Sequence, residues 1–410
     1  QGTGTTPSGK DLSARLKKYP YGIKLSQAGV NAIENALENE TGFDVGAVEF
    51  AEYLHDDARN RYLDHLKQYL ENIGPSVLPE RKKPDFSALK IGLDCANGAT
   101  SVTAKAIFEY FGAQVEVIHD DPTYGEKINQ NCGSTHLESL TQLVKEKSLD
   151  FGAAFDGDGD RCLMVDKDGT VIDGDDMVAC IASYLGLPKV AVTIMANKGL
   201  LNWSKNTGIA LVMTDVGDQS VSAKMREEGI LLGGEQSGHI ILPGESMGDG
   251  VLTALVMTKI YNETRNKRLN EDKLLISYEE MQKAKSNQTS KNQTKPETKN
   301  SPDLNAKQAA EVSLSSLCSS LKKLPQTIKN QPVSHSLKNA FRNHSKLAEE
   351  FIAQQANKLE PLGWSLNIRA SGTEELVRIT IWGDNPEKIT QKATKIASDL
   401  LELENQLDTE

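Results

Sequence analysis

Phe151–Arg161 reads FGAAFDGDGDR, five apolar or small residues followed by three aspartates alternating with glycines. An uninterrupted apolar run of this length fits a strand covered on both faces. The glycines permit a tight backbone path. In a curved loop Asp156, Asp158 and Asp160 can then converge on one cation, and hard carboxylate oxygens suit Mg²⁺. A plain acidic turn is the competing reading. An EF-hand is a poor one, because that loop needs Gly at its sixth position and Glu at its twelfth, where this chain has Arg161 and Lys167. Arg161 either neutralises the aspartates or stabilises a transferring phosphoryl group, and both roles are compatible. The later Asp166, Asp168, Asp173, Asp175 and Asp176 read as turn residues around DKDG and DGDD.

Outward from this loop, strand-like and helix-like stretches alternate. LKIGLDC (Leu89–Cys95) and AQVEVIHD (Ala113–Asp120) read as strands around a helical Ser101–Gly112. A helix is expected over Leu137–Lys147, then strands at Leu149–Asp156, Lys189–Ala196 and Ile209–Val216, with a helix near Leu200–Thr207. This order predicts consecutive α/β domains with substantially parallel sheets, whose strand ends commonly build active sites. The carboxyl-terminal part reads as a helix (Ser313–Leu324), a strand, loop and strand (Trp364–Gly383) and a closing helix (Pro386–Asn405), a small α+β domain. From about Asn262 to Asn305 the chain turns polar, and Lys283–Asp303 reads as a linker or surface insertion, with parts of Glu271–Met281 helical. Val30–Gly74 reads as helical, especially Ala58–Ile73, with its charged residues on a solvated helix surface. The expected layout is 1–84, 85–186, 187–262, a polar 263–311, and 312–410.

A net charge of −11, from 57 acidic and 46 basic residues, argues against nonspecific nucleic-acid binding. No apolar run reaches the roughly 18–20 residues of a membrane helix, and no signal-peptide pattern opens the chain. Gln1 rather than Met stands first, compatible with a longer gene product. The five cysteines include no C-x-x-C pair, which disfavours a zinc site or disulfide framework and fits a reduced cytoplasm.

Two more loops carry chemistry. Gly233–His239, GGEQSGH, offers Glu235 and Ser237 to sugar hydroxyls, and His239 to phosphate or proton transfer. Arg369-Ala370-Ser371-Gly372-Thr373-Glu374, with Arg378 following, can gather hydroxyls, loop N–H groups and guanidinium on a phosphate. Singly, a Gly-rich turn or an S-G-T turn explains each equally well or better.

Together FDGDGDR (Phe155–Arg161), GGEQSGHI (Gly233–Ile240) and RASGTEELVR (Arg369–Arg378) resemble the α-D-phosphohexomutase family. LDCANGAT (Leu93–Thr100), INQNCGSTH (Ile128–His136), TIMANKG (Thr193–Gly199), VGD (Val216–Asp218) and GDG (Gly248–Gly250) add to the resemblance, in the family's order. It implies four domains around a cleft, carrying in turn a phosphoserine, a metal loop, a sugar loop and a phosphate loop. It implies Mg²⁺, a phosphorylated hexose substrate and a hexose 1,6-bisphosphate intermediate or activator; a homo-oligomer stays open. Gln236 favours the branch that interconverts glucosamine 6-phosphate and glucosamine 1-phosphate, over the phosphomannomutase/phosphoglucomutase branch.

The chain departs from the pattern at its start. The family expects S-A-S-H-N-P before N-G-I-K, but Ser13–Lys24 reads SARLKKYPYGIK, with Arg15 at the nucleophile position and Lys17 at the asparagine. Ser13 substitutes only after a register shift, and Gly4–Ser8 is a weak remnant of a Thr-Pro segment. Gln219 stands for an arginine and Glu375 for a proline. The expected activity is therefore impaired, and a sugar-phosphate-binding protein without turnover is the alternative. A scaffold using the polar insertion ranks last.

Overall fold

The computed structural model describes residues 55–75, 83–288, 312–371 and 374–407. Gly4–Ser8, Ser13–Lys24, the 30–54 part of the stretch read as helical, the 289–311 part of the polar stretch, Gly372 and Thr373 lie outside them. The chain divides into two compact units, 1–191 with 217–320 and 192–216 with 321–410.

The first unit is built on a five-stranded sheet of order β2-β1-β3-β4-β5. Its strands are β1 (Lys90–Asp94), β2 (Gln114–Ile118), β3 (Phe151–Phe155), β4 (Cys162–Asp166) and β5 (Val171–Ile172). β1 runs parallel to both β2 and β3, while β3–β4 and β4–β5 are antiparallel. The acidic loop explains the change of direction. Asp156–Arg161 is a short link, and a parallel return needs a crossover of a dozen residues or more. The sheet is thus mixed, not substantially parallel throughout. All five residues of β3 are buried. Helix α2 (Ala104–Tyr110) links β1 to β2, and α3 (Glu138–Glu146) precedes β3. Leu140 and Val144 of α3 pack with Leu149, Ala154 and Val165 against the sheet.

Helix α1 (His55–Asn72) forms over the stretch read as helical, but one face is covered, with Leu66 and Leu70 fully buried. No basic residue stands in its last turn. Lys259 compensates from another helix, its Nζ donating to the carbonyls of Leu70 and Ile73 at 2.9 and 2.7 Å.

Further along lie α4 (Gly174–Leu185), α6 (Asp218–Glu228), the short antiparallel pair β8 (Gly233–Gly234) and β9 (Ile240–Ile241), and α7 (Gly250–Gln288). Strand β6 (Lys189–Thr193), α5 (Gly199–Thr207) and β7 (Ala210–Thr214) precede α6 in the chain. α7 takes in the Glu271–Met281 stretch expected to be partly helical and corrects the linker reading over 283–288. After Gly250 it contains neither Gly nor Pro, and Glu, Lys, Arg and Leu are strong helix formers, so low hydrophobicity does not stop the helix. The helix expected over Ser313–Leu324 shrinks to α8 (Leu314–Leu317). Serine favours caps over helix interiors, and Ser313 caps this turn from its side chain.

In the second unit, β10 (Gln326–Pro332), β12 (Leu376–Trp382) and β11 (Ser365–Ala370) form an antiparallel sheet in that order. Helices α9 (His335–Arg342), α10 (Lys346–Leu359) and α11 (Pro386–Leu407) supply Leu337, Phe351, Ile389 and Ile396 to its core, which meet Ile368, Val377, Ile379 and Ile381 of the strands. This is the α+β arrangement expected. Among the described residues no helix is long and apolar enough to cross a membrane.

Candidate functional site

The acidic loop leaves the carboxyl end of β3. Asp156, Asp158 and Asp160 each bring one carboxylate oxygen within 4.8 Å of the others. The Asp156 carboxyl is pushed up to about 6, by burial first, with the charges of Asp160 and Asp158 adding to it and the Arg161 N–H opposing. The Arg161 backbone N donates to Asp156 Oδ1 at 3.1 Å. Its Nε lies 3.6 Å from Asp156 and 3.9 Å from Asp160 and makes no hydrogen bond. One guanidinium at such distances does not neutralise three clustered carboxylates. A hard divalent cation fits that donor set.

A neighbouring loop clamps the acidic turn. Ala99 N donates to Gly157 O at 2.9 Å. A Cβ on Gly98 would stand 2.2 Å from that same oxygen, so the approach requires glycine there.

His239 is 3% exposed, and both of its ring nitrogens face protein. Gly248 N–H donates to Nε2 at 3.1 Å, which leaves the ring proton on Nδ1, 3.1 Å from Asp160 Oδ2. That contact holds the Asp160 carboxyl below its usual range, against the effect of burial. The sequence reading put His239 on phosphate or in proton transfer; the structure places it behind Asp160, aiming a metal-loop carboxylate. Glycine makes the contact reachable: Cys162 N donates to Gly238 O at 3.1 Å, and a Cβ on Gly238, whose φ is +91°, would stand 2.1 Å from Cys162 O.

The rest of the Gly233–His239 loop is a tight turn between β8 and β9. Glu235 N donates to His239 O at 3.0 Å, and Gly238 N donates to Glu235 O at 3.0 Å. Glu235 is half-buried and Ser237 exposed. Glu235 Oε1 accepts from Gly217 N at 2.8 Å, and Ser237 Oγ lies 3.5 Å from Glu235 Oε2. Gln236 Nε2 donates to Asp173 Oδ2 at 3.2 Å, and Gly174 N donates to Gln236 O at 3.1 Å. Gln236 therefore ties the sugar-type loop to the amino terminus of α4.

The structure thus brings Asp156, Asp158, Asp160, Arg161 and His239 together, and the Glu235–Ser237 turn leads directly into His239. Sequence reasoning missed the supporting role of Asp173. DGDD is not merely a turn: Asp173 accepts from the N–H groups of Asp175 and Asp176, and Asp176 returns a bond to Asp173 N. The signal was available as an N-cap residue followed three positions later by a second acceptor. Asp166 opens the DKDG turn as expected, its carbonyl accepting from Gly169 N at 2.8 Å, and its side chain has a second role. It is fully buried and accepts from the N–H groups of Leu314 and Ser315 and from the Ser315 hydroxyl. Asp168 does sit in the DKDG turn, accepting from Thr170 N at 2.8 Å.

In the second unit, Arg369 on β11 stands directly opposite Arg378 on β12. Like charges at facing positions destabilise a sheet unless an anion lies between or beside them. Arg378 reaches Glu374 at 3.1 Å while its Nε has no hydrogen-bond partner. Ser371 is 1% exposed and its N–H donates to Leu376 O at 2.9 Å, closing the turn. Gly372 and Thr373 fall outside the described residues. Glu375, standing for the expected proline, pairs with Lys338 at 3.1 Å and His335 at 3.4 Å. The bond from Lys338 is the main reason its carboxyl is held below the usual range.

Two family models match the chain: phosphoglucomutase/phosphomannomutase alpha/beta/alpha domain II over residues 60–169 and domain III over 173–275. Phosphoglucosamine mutase of Clostridium tetani is 36% identical over 396 residues, 93% of this chain and 73% of that protein. Phosphoglucosamine mutase of Caldicellulosiruptor bescii is 34% identical over 387 residues, 92% and 73% respectively. Among solved structures, N-acetylphosphoglucosamine mutase of Aspergillus fumigatus, in complex with GlcNAc-6P and magnesium, aligns with a TM-score of 0.55 at 18% identity. The alignment covers 83% of this chain and 65% of that one. A putative phosphomannomutase from Thermus thermophilus aligns with a TM-score of 0.54 at 16% identity, covering 93% and 73%. The chain therefore spans just under two thirds of the fungal enzyme.

Proposed function

The chain belongs to the α-D-phosphohexomutase family, and from that premise we propose that it binds glucosamine phosphates and Mg²⁺ in the manner of a phosphoglucosamine mutase. The reaction is the interconversion of glucosamine 6-phosphate and glucosamine 1-phosphate, with a hexose 1,6-bisphosphate as intermediate. The observation that carries the reading is the convergence of Asp156, Asp158 and Asp160 beside Arg161 at the end of a buried strand. Mg²⁺ held by these carboxylates would supply positive charge to a transferring phosphoryl oxygen. Arg161, partly exposed beside them, is suited to bind the equatorial phosphoryl oxygens. Glu235 and Ser237 orient neighbouring sugar hydroxyls, and the remaining acceptor sites of Glu235, beyond the one Gly217 uses, serve that purpose. Arg369, Ser371, Gly372, Thr373 and Arg378 bind the phosphate that is not transferring. The five-segment layout of the chain, a cytoplasmic location and the absence of nucleic-acid and membrane partners belong to the same proposal.

Binding without turnover is the second reading, favoured by Arg15 at the nucleophile position. Arginine carries no oxygen to accept a phosphoryl group. Calorimetry with glucosamine 6-phosphate and Mg²⁺, beside a turnover assay primed with glucosamine 1,6-bisphosphate, separates the two. Saturable binding with turnover supports the mutase, and saturable binding without turnover supports the second reading. No binding at millimolar ligand contradicts both.

A further inference from the structure

Beside the acidic loop, at the carboxyl ends of β1 and β2, lies another set of donors. We propose that Asp94, His119 and Cys132 form a second cation site, taking a thiophilic divalent ion such as Zn²⁺ rather than Mg²⁺. Each residue offers one ligand atom, all within 4.8 Å of one another. Carboxylate, imidazole and thiolate together are the donor set of zinc and its transition-metal neighbours, while Mg²⁺ prefers oxygen alone.

Each member keeps capacity for a ligand. Asp94 is fully buried and accepts from Ala96 N and Gly133 N, both at 3.0 Å. A carboxylate has about four lone-pair sites, so two remain. His119 Nδ1 stands 3.0 Å from Asp94 Oδ2 without the geometry of a hydrogen bond, and the atom is shielded from solvent. Cys132 Sγ has long contacts, 3.9 Å from Asn97 Nδ2 and 3.9 Å from Lys127 O, and faces the backbone N–H groups of Asn129 and Gln130, which favour a thiolate as a metal does. The cysteine is buried and unbridged. A cation therefore meets an orphaned nitrogen, a weakly engaged sulfur and a spare carboxylate lobe.

The competing explanation is that Asp94 merely staples its loops through Ala96 and Gly133. It accounts for those two bonds and, extended to an ion pair with His119, for the 3.0 Å contact, but gives the Cys132 sulfur beside the same carboxylate no purpose. The surrounding backbone is also held in place: Ala96, Asn97, His119, Asn129 and Asn131 all have φ between 50° and 59°. Such conformations persist where neighbouring structure over-determines them, ligand clamps among them.

Binding balances simply. The Cys132 S–H bond breaks, a sulfur–metal bond forms and the proton leaves to solvent. His119 donates its Nδ1 lone pair with its ring proton on Nε2, and a water completes four-coordination. No electron transfer is involved.

Co²⁺ reports such a site optically. The full chain is titrated with Co²⁺ while excess Mg²⁺ occupies the acidic loop. About one further equivalent is expected, with a sulfur-to-cobalt charge-transfer band and release of about one proton. Cys132→Ser removes the band. His119→Ala, whose ring is partly exposed and tolerant of truncation, weakens Co²⁺ by about 100-fold. The proposal is overturned by absence of the band in the parent, by an undiminished band in a folded Cys132→Ser, or by unchanged Co²⁺ affinity in His119→Ala. Mg²⁺ and sugar-phosphate binding are measured separately, so failure here leaves the reading of the acidic loop untouched.

Discussion

Replacing Asp156 by Asn should stabilise the metal-free protein at neutral pH. The carboxyl is pushed up to about 6 from an ordinary 3.8. Its folded-state value lies above the unfolded one, so ionisation opposes folding. The penalty is absent well below pH 4, grows as pH rises towards 6 and is complete above that. Taken at face value the shift corresponds to about 3 kcal/mol, at 1.36 kcal/mol per unit. Part of the shift belongs to repulsion shared with Asp160 and is screened by solvent, which leaves about 1–2 kcal/mol. Asn keeps an oxygen for the Arg161 N–H, now at 3.1 Å, so little is lost in exchange. Urea unfolding at pH 7.5 with EDTA should show Asp156→Asn more stable by that amount, and the gain should vanish near pH 4. Added Mg²⁺ should stabilise the parent and do much less for the variant. Equal stability of the two proteins at pH 7.5, or a gain that persists unchanged at pH 4, refutes the claim that clustered negative charge strains this loop.

Other perturbations test neighbouring parts of the account. Gly238→Ala should destabilise the protein by about 2 kcal/mol or more and lower its melting temperature, because its new Cβ meets the Cys162 carbonyl in a left-handed backbone. His239→Ala should weaken Mg²⁺ by about 10- to 100-fold in calorimetry while the sugar turn survives, as expected of a residue that aims Asp160; unchanged Mg²⁺ affinity contradicts that role. Arg378→Ala should weaken glucosamine 6-phosphate without altering Mg²⁺ affinity measured alone, and its thermal stability should hold or rise because a facing like charge is removed. Asp173→Ala should cost about 1 kcal/mol in unfolding experiments through loss of the α4 cap.

The parallel core was legible because Phe151–Phe155 is an uninterrupted apolar run, while Gln114–Ile118 alternates polar and apolar residues as a half-covered strand does. The antiparallel β4 was equally implied by the short Asp156–Arg161 link, although alternation of strands and helices pointed to parallel pairing. Composition misled over 283–288, where polar residues without Gly or Pro continue the helix rather than start a linker. The helical reading erred in the opposite direction at 318–324, beyond the short helix Leu314–Leu317. At the site, the convergence of Asp156, Asp158 and Asp160 was legible because glycine spacing is local. Residue chemistry named His239 but could not foresee its contact with Asp160, a residue distant from it in sequence. For the same reason Asp94, His119 and Cys132 carried no signal. They belong to different loops, and only the folded sheet aligns its strand ends.

The central claim is that the acidic turn holds a divalent ion beside a phosphorylated hexose. Crystals of the full chain grown with Mn²⁺ and glucosamine 6-phosphate test it directly by anomalous diffraction. An anomalous peak among the carboxylates of Asp156, Asp158 and Asp160, with a phosphate within reach of Arg161, is the expected result. A structure with the sugar phosphate bound and no anomalous density at those carboxylates contradicts the account.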